Sequence, residues 1–165
     1  MKNAQIPQRP YRDEVRLSIL GLGGMVLVGM PQKAADKIVA EAFGQGVNYF
    51  DVAPFYGDGE AEEKMGAALE PYRERVFLAC KTLERSAAGA RAELARSLGR
   101  LRTGHFDLYQ FHSLSGVGEV DEIFAPGGVM EAFLEARAQG KIRHIGFSAH
   151  DVEAALAMLD RFRFD

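Results

Sequence analysis

Apolar and polar positions along this chain alternate between two periods. Short runs rich in β-branched and aromatic residues read as strands: VNYFDV (47–52), VFLACK (76–81), DLYQF (107–111) and IRHIGFS (142–148). Between them apolar residues recur at helical spacing, as at Leu94, Leu98 and Leu101. The pattern predicts a first strand over 15–20 and helices over 31–43, 60–69, 86–101, 129–139 and 152–160. Pro31 suits a first helical turn, Ser86 and Asp151 suit N-caps, and Gly44, Gly46, Pro71 and Gly140 suit helix ends. Gly116, Gly118, Pro126, Gly127 and Gly128 predict a long loop before the fourth helix. Residues 161–165 look like the entry to a sixth strand.

Strand and helix thus alternate five times with short connections, the signal of βαβ units and a parallel sheet. Such a sheet is either doubly wound or a barrel. Period two puts Asp51, Lys81 and His112 on one face of their strands and Phe50, Cys80 and Phe111 on the other. Polar groups converging at strand ends favour the barrel. The expected fold is α/β, a parallel (β/α)8 TIM-barrel type, incomplete here: five βα units and the start of strand six. Residues 1–12 read as an N-terminal arm and 13–165 as part of one barrel domain.

Composition narrows the function classes. A net charge of −3 over 165 residues leaves no footprint for nucleic acid or an anionic membrane. No run approaches the ~20 apolar residues of a membrane span. The polar, proline-broken start has no apolar core for a signal peptide, so a soluble cytoplasmic protein is expected. Cys80 is the single cysteine, which rules out an intramolecular disulfide. No metal-ligand spacing occurs.

The candidate chemistry sits where parallel α/β proteins place it, at strand ends and in the loops that follow. Asp51 ends one strand and Tyr56 follows on its loop; Lys81 and His112 end the next two. Each alone has a bland reading: a turn carboxylate, a rim aromatic, a surface lysine, a structural histidine. Their joint placement points to a site. His105 and His144 lack that placement and read as structural or exposed; His150 lies at the same end as the four. Cys80 reads as a buried apolar residue. Gly21-Leu22-Gly23-Gly24 is not a dinucleotide fingerprint, since the third glycine would fall at Val26; a tight turn is expected instead. Arg85, Arg91, Arg96, Arg100 and Arg102 read as a solvated helix face.

The pieces LGLGGM, NYFDVAPFYGDGEAEEKMGAAL, VFLACKT, DLYQFHS and GKIRHIGFSAH resemble the aldo-keto reductase superfamily over nearly the whole chain. The resemblance implies NADPH- or NADH-dependent reduction of a small carbonyl substrate. It places the catalytic tetrad on Asp51, Tyr56, Lys81 and His112. It places cofactor contacts on Ser148, Asp51 and Gly23, and a loop-positioning role on Glu62. The family's usual Asn after the serine is Ala149 here. Hydride arriving at a carbonyl carbon builds charge on oxygen, which needs a proton donor. Tyr56 would donate, Lys81 would favour its phenolate, Asp51 would hold Lys81, and His112 would orient the carbonyl or share the donation. The family's adenosine-phosphate contacts come later than residue 165, so a missing C-terminal part or self-association is expected to complete the barrel. The alternative is an inactive partial barrel acting as an interaction or scaffold protein.

Overall fold

The computed structural model describes residues 5–11 and 15–165. Residues 1–4 and 12 of the expected N-terminal arm lie outside them. The chain forms two compact units: one runs to Ala79 and includes Arg100–Thr103, the other comprises Cys80–Gly99 and Gly104–Asp165.

The first unit opens with a hairpin, not with a barrel strand. Strand β1 (Gln8–Pro10) pairs antiparallel with β2 (Arg16–Ser18), Gln8 opposite Ser18. Asn48 fastens this hairpin: its Oδ1 accepts from the Ser18 N–H at 2.7 Å and its Nδ2 donates to the Arg16 carbonyl at 2.7 Å. The parallel strand expected over 15–20 is instead β3 (Gly21–Gly23), and the expected glycine turn is this strand. A 3-10 turn (Gly24–Leu27), α1 (Gln32–Gly44), β4 (Tyr49–Asp51), α2 (Glu60–Leu69), a second 3-10 turn (Arg73–Arg75) and β5 (Phe77–Thr82) follow. Gly21, Leu22 and Gly23 stand opposite Tyr49, Phe50 and Asp51, and these stand opposite Phe77, Leu78 and Ala79. The strand holds glycine for a steric reason. A Cβ on Gly21 would lie 2.5 Å from Tyr49 Cδ1, so the Tyr49 ring occupies the space a side chain would need. Leu27, Val39, Phe50, Met65 and Leu69 form the buried core.

The second unit continues from the end of β5 through α3 (Ala87–Arg100), β6 (Phe106–Leu114), α4 (Val117–Phe124), α5 (Val129–Ala138), β7 (Ile142–Ala149) and α6 (Val152–Arg161). Strands β6 and β7 are parallel from Phe106 opposite Ile142 to Phe111 opposite Phe147; an irregularity between Phe111 and Leu114 then brings Leu114 opposite Ala149. Phe106, Tyr109 and Phe111 are fully buried; Tyr109 and Phe111 turn toward α5, where Phe111 stacks on Phe133 with centroids 4.1 Å apart. Both predicted caps form: Gly89 N–H donates to Ser86 Oγ at 3.1 Å, and Ala154 N–H to Asp151 Oδ1 at 2.7 Å.

Two expectations fail here. The predicted glycine loop contains α4, which buries Val120 and Ile123 and is entered through Ser115, whose N–H donates to Glu119 at 3.0 Å. Residues 162–165 form no strand, although the Asp165 N–H donates to the Ile145 carbonyl at 3.1 Å and Asp165 Oδ2 accepts from the Ile145 N–H at 3.0 Å.

The strands run β3-β4-β5 in the first unit and β5-β6-β7 in the second, all parallel and alternating with helices. Among the described residues no helix is long and apolar enough to cross a membrane.

Candidate active site

In the first unit, Asp51 closes β4 and stands opposite Gly23 of β3. Tyr49, two residues earlier on the same strand face, hydrogen-bonds the Asp51 carboxylate through its side chain. Burial, then this carboxylate's charge, then that hydrogen bond raise the Tyr49 pKa above the ordinary phenol range, with a smaller contribution from Tyr11. Tyr49 thus adjoins the Asp51 carboxylate, a contact that motif reading misses. The signal for it was the strand's period of two.

Tyr56 lies half-buried in the loop after β4. Its N–H donates to the Ala53 carbonyl at 3.1 Å, and its carbonyl accepts from the Ala61 N–H of α2 at 3.2 Å. Gly57, Asp58 and Gly59 then take φ values of 62°, 53° and 91°, a left-handed run that turns the chain into the helix. A Cβ at Gly57 would lie 2.9 Å from Val28, and one at Gly59 would lie 2.3 Å from the Arg100 guanidinium. Arg100 Nη1 in turn donates at 3.1 Å to Glu62, whose side chain is fully buried. Glu60 accepts from the Gly29 N–H at 3.1 Å and pairs with Lys64, and its carboxyl titrates below the ordinary range, the Lys64 bond being the main cause.

In the second unit, Lys81 is buried on β5, and its neighbour Cys80 is fully buried, as strand alternation predicts. His112 lies near the end of β6. Burial, then the charges of Lys81, Arg85 and His150, hold its imidazole down to about 4, so it is neutral at pH 7. The peptide after His112 is gripped at both ends. Arg85 Nη2 donates to the His112 carbonyl at 2.7 Å, and the Ser113 N–H donates to Ser148 Oγ on β7 at 2.9 Å. Ser113 itself has φ 60°. The His150 N–H donates to the Leu114 carbonyl at 2.8 Å. His105 lies 3.9 Å from Asp107 and His144 3.6 Å from Asp165, structural placements for both.

The arginine expectation needs correction. Arg91, Arg96 and Arg102 are solvated, but Arg85 and Arg100 are not merely so. Arg85 precedes the helix in the loop after β5, where the path of the chain turns it toward the strand ends.

The sequence profile of the aldo/keto reductase family matches residues 19–164. The chain belongs to this family. It is 34% identical to the aldo-keto reductase YhdN of Bacillus subtilis over 161 residues, covering 90% of this chain and 46% of that protein. Among solved structures, the holo form of aldo-keto reductase AKR11C1 from Bacillus halodurans matches with a TM-score of 0.85 and 30% identity, covering 97% of this chain and 56% of that one. An aldo/keto reductase from Klebsiella pneumoniae, in complex with NADP and acetate, matches with a TM-score of 0.73 and 29% identity, over 88% and 50% of the respective chains. The chain therefore spans about half the length of these relatives. As an aldo/keto reductase fold it is an incomplete (β/α) barrel, and its five parallel strands are the units present.

Proposed function

We propose that this chain carries the carbonyl-handling part of an NAD(P)H-dependent reductase of aldehydes or ketones. The supporting observation is the placement of His112 near the end of β6, with Arg85 on its carbonyl at 2.7 Å and an imidazole held down to about 4 by burial and then by neighbouring charge, Lys81 first. A neutral imidazole can donate a hydrogen bond to a carbonyl oxygen without bringing a full charge of its own.

The residue roles follow from their chemistry. His112 orients the carbonyl. Tyr56 donates the proton to the oxygen as negative charge develops there. Lys81 supplies a cation of the kind that favours a phenolate, and Asp51 a carboxylate of the kind that balances one. Glu62 positions the Tyr56 loop. A reduced nicotinamide, when bound, supplies the hydride. Ser148 suits the carboxamide end of such a group: its Oγ already accepts from Ser113, which leaves its own proton available to a carbonyl acceptor. Ala149 adds no side-chain hydrogen bond, so this end rests on Ser148; Gly23, opposite Asp51, leaves open space where a side chain would stand.

The test is an NADPH-dependent assay of the chain with a reactive aldehyde, alongside nicotinamide fluorescence to follow binding. Tyr56→Phe is expected to lower turnover by about a hundredfold or more while leaving NADPH binding in place. Equal turnover in wild type and Tyr56→Phe, or no NADPH binding by the wild type, overturns the reading.

A further inference from the structure

We propose that Arg85 is a positioning residue for His112, clamping the peptide unit between His112 and Ser113 from its oxygen side while Ser148 holds the nitrogen side. The proposal rests on the reading of His112 as the residue that orients the carbonyl. The oxygen and the N–H of that single peptide are held at 2.7 Å and 2.9 Å by side chains from two different elements. Rotating the plane would break both bonds together.

The clamp has something to hold. Ser113 has φ 60°, in the left-handed region that a residue other than glycine, asparagine or aspartate seldom enters. Such a conformation persists when the surroundings over-determine it. It coincides with the irregularity between Phe111 and Leu114, where β6 departs from simple alternation. The orientation of the imidazole on the residue just before depends on this kinked peptide staying in place.

Arg85 is itself fixed. Its Nε and Nη2 donate to Glu119 Oε2 at 3.0 and 2.8 Å, and Nη1 donates to the Glu84 carbonyl at 3.3 Å. Glu119 is held by the Ser115 N–H at 3.0 Å. The Arg85 carbonyl accepts from the Val129 N–H at 3.0 Å, and the Ala87 N–H donates to the Gly127 carbonyl at 2.8 Å. One guanidinium therefore joins the loop after β5, the end of β6 and the first turn of α4. A lysine could supply the charge but not this planar fork, which serves a carboxylate and a carbonyl at once.

The test uses the whole chain carrying Arg85→Lys, Arg85→Gln or Glu119→Gln. Amide hydrogen exchange at Ser113 and Ser115 and the titration of the His112 imidazole are followed by NMR, with kcat and KM measured for a reactive aldehyde. Both Arg85 variants should speed exchange at Ser113 and lower kcat by about tenfold to a hundredfold at unchanged NADPH affinity. The imidazole should titrate closer to 6.5 in Arg85→Gln and stay low in Arg85→Lys. Glu119→Gln should shift exchange and kcat in the same direction by less. Arg85→Lys matching the wild type in both exchange and kcat overturns the proposal. If the Arg85 variants do not fold, Glu119→Gln decides: no change in either readout overturns it. A wild type without turnover counts against the reductase reading alone, since the exchange measurements still decide the role of Arg85.

Discussion

The guanidinium of Arg100, at the end of α3, lies 3.1 Å from the carboxylate of Glu62, which is fully buried in α2. The arginine side chain keeps 32% of its exposure, so solvent reaches one partner and not the other. Removing the arginine takes one charged partner away from a buried carboxylate, and that is where the cost lies. Arg100→Met should therefore destabilise the fold by about 3 kcal/mol. Adding Glu62→Met should recover most of the loss, because an apolar pair of similar volume needs no compensation. Urea unfolding of the two variants checks this; equal stability of single and double variants would sink the argument.

Gly21 should tolerate no side chain. A methyl there would stand 2.5 Å from Tyr49 Cδ1 and 3.2 Å from the Tyr49 carbonyl oxygen, and the carbonyl cannot swing aside. Gly21→Ala is expected to cost about 1–3 kcal/mol. It should also perturb the Tyr49–Asp51 hydrogen bond, visible as a changed Tyr49 absorbance titration at high pH.

His112 should make stability depend on pH in a defined window. The unfolded chain protonates this imidazole near its ordinary 6.5, the folded chain only near about 4. Between those values the unfolded state binds more protons, so folding stability falls as pH drops from 6.5 toward 4 and is complete above that window. His112→Gln lacks this dependence. Across pH 7 to 4.5 the variant's urea midpoint should fall less than the wild type's. Parallel falls would contradict the neutral imidazole.

Phe133 and Leu134 are neighbours on α5 with opposite expected effects. Phe133 is 1% exposed and stacks on Phe111, whereas Leu134 is 41% exposed. Phe133→Ala should cost about 3–5 kcal/mol by leaving a cavity. Leu134→Ala should stay within about 0.5 kcal/mol of the wild type. Thermal or urea unfolding separates them.

Much of the fold could be read from the sequence because side chains announce it. Helix α2 was predicted at its observed bounds, with a glycine before it and Pro71 after it. Strand β3 left no such trace: GLG has a single side chain, and its strand character comes from main-chain pairing with β4, where Tyr49 fills the space beside Gly21. Helix α4 hid among glycines and a proline, though Val120 and Ile123 carried the helical spacing. Strand β6 runs to Leu114, beyond the predicted Phe111, because its alternation is interrupted near Ser113. At the candidate site the residue types and their strand-end positions were legible. Arg85 was not, because its key acceptor is a main-chain carbonyl 27 positions away, a group every residue possesses.

The three consecutive left-handed residues Gly57, Asp58 and Gly59 set a practical limit on redesign. Most substitutions there would fight the backbone before touching any ligand, and two of the three positions would also strike Val28 or Arg100. Substitutions are better spent at positions such as Leu83 and Val117, where side chains already face solvent and the main chain is not left-handed.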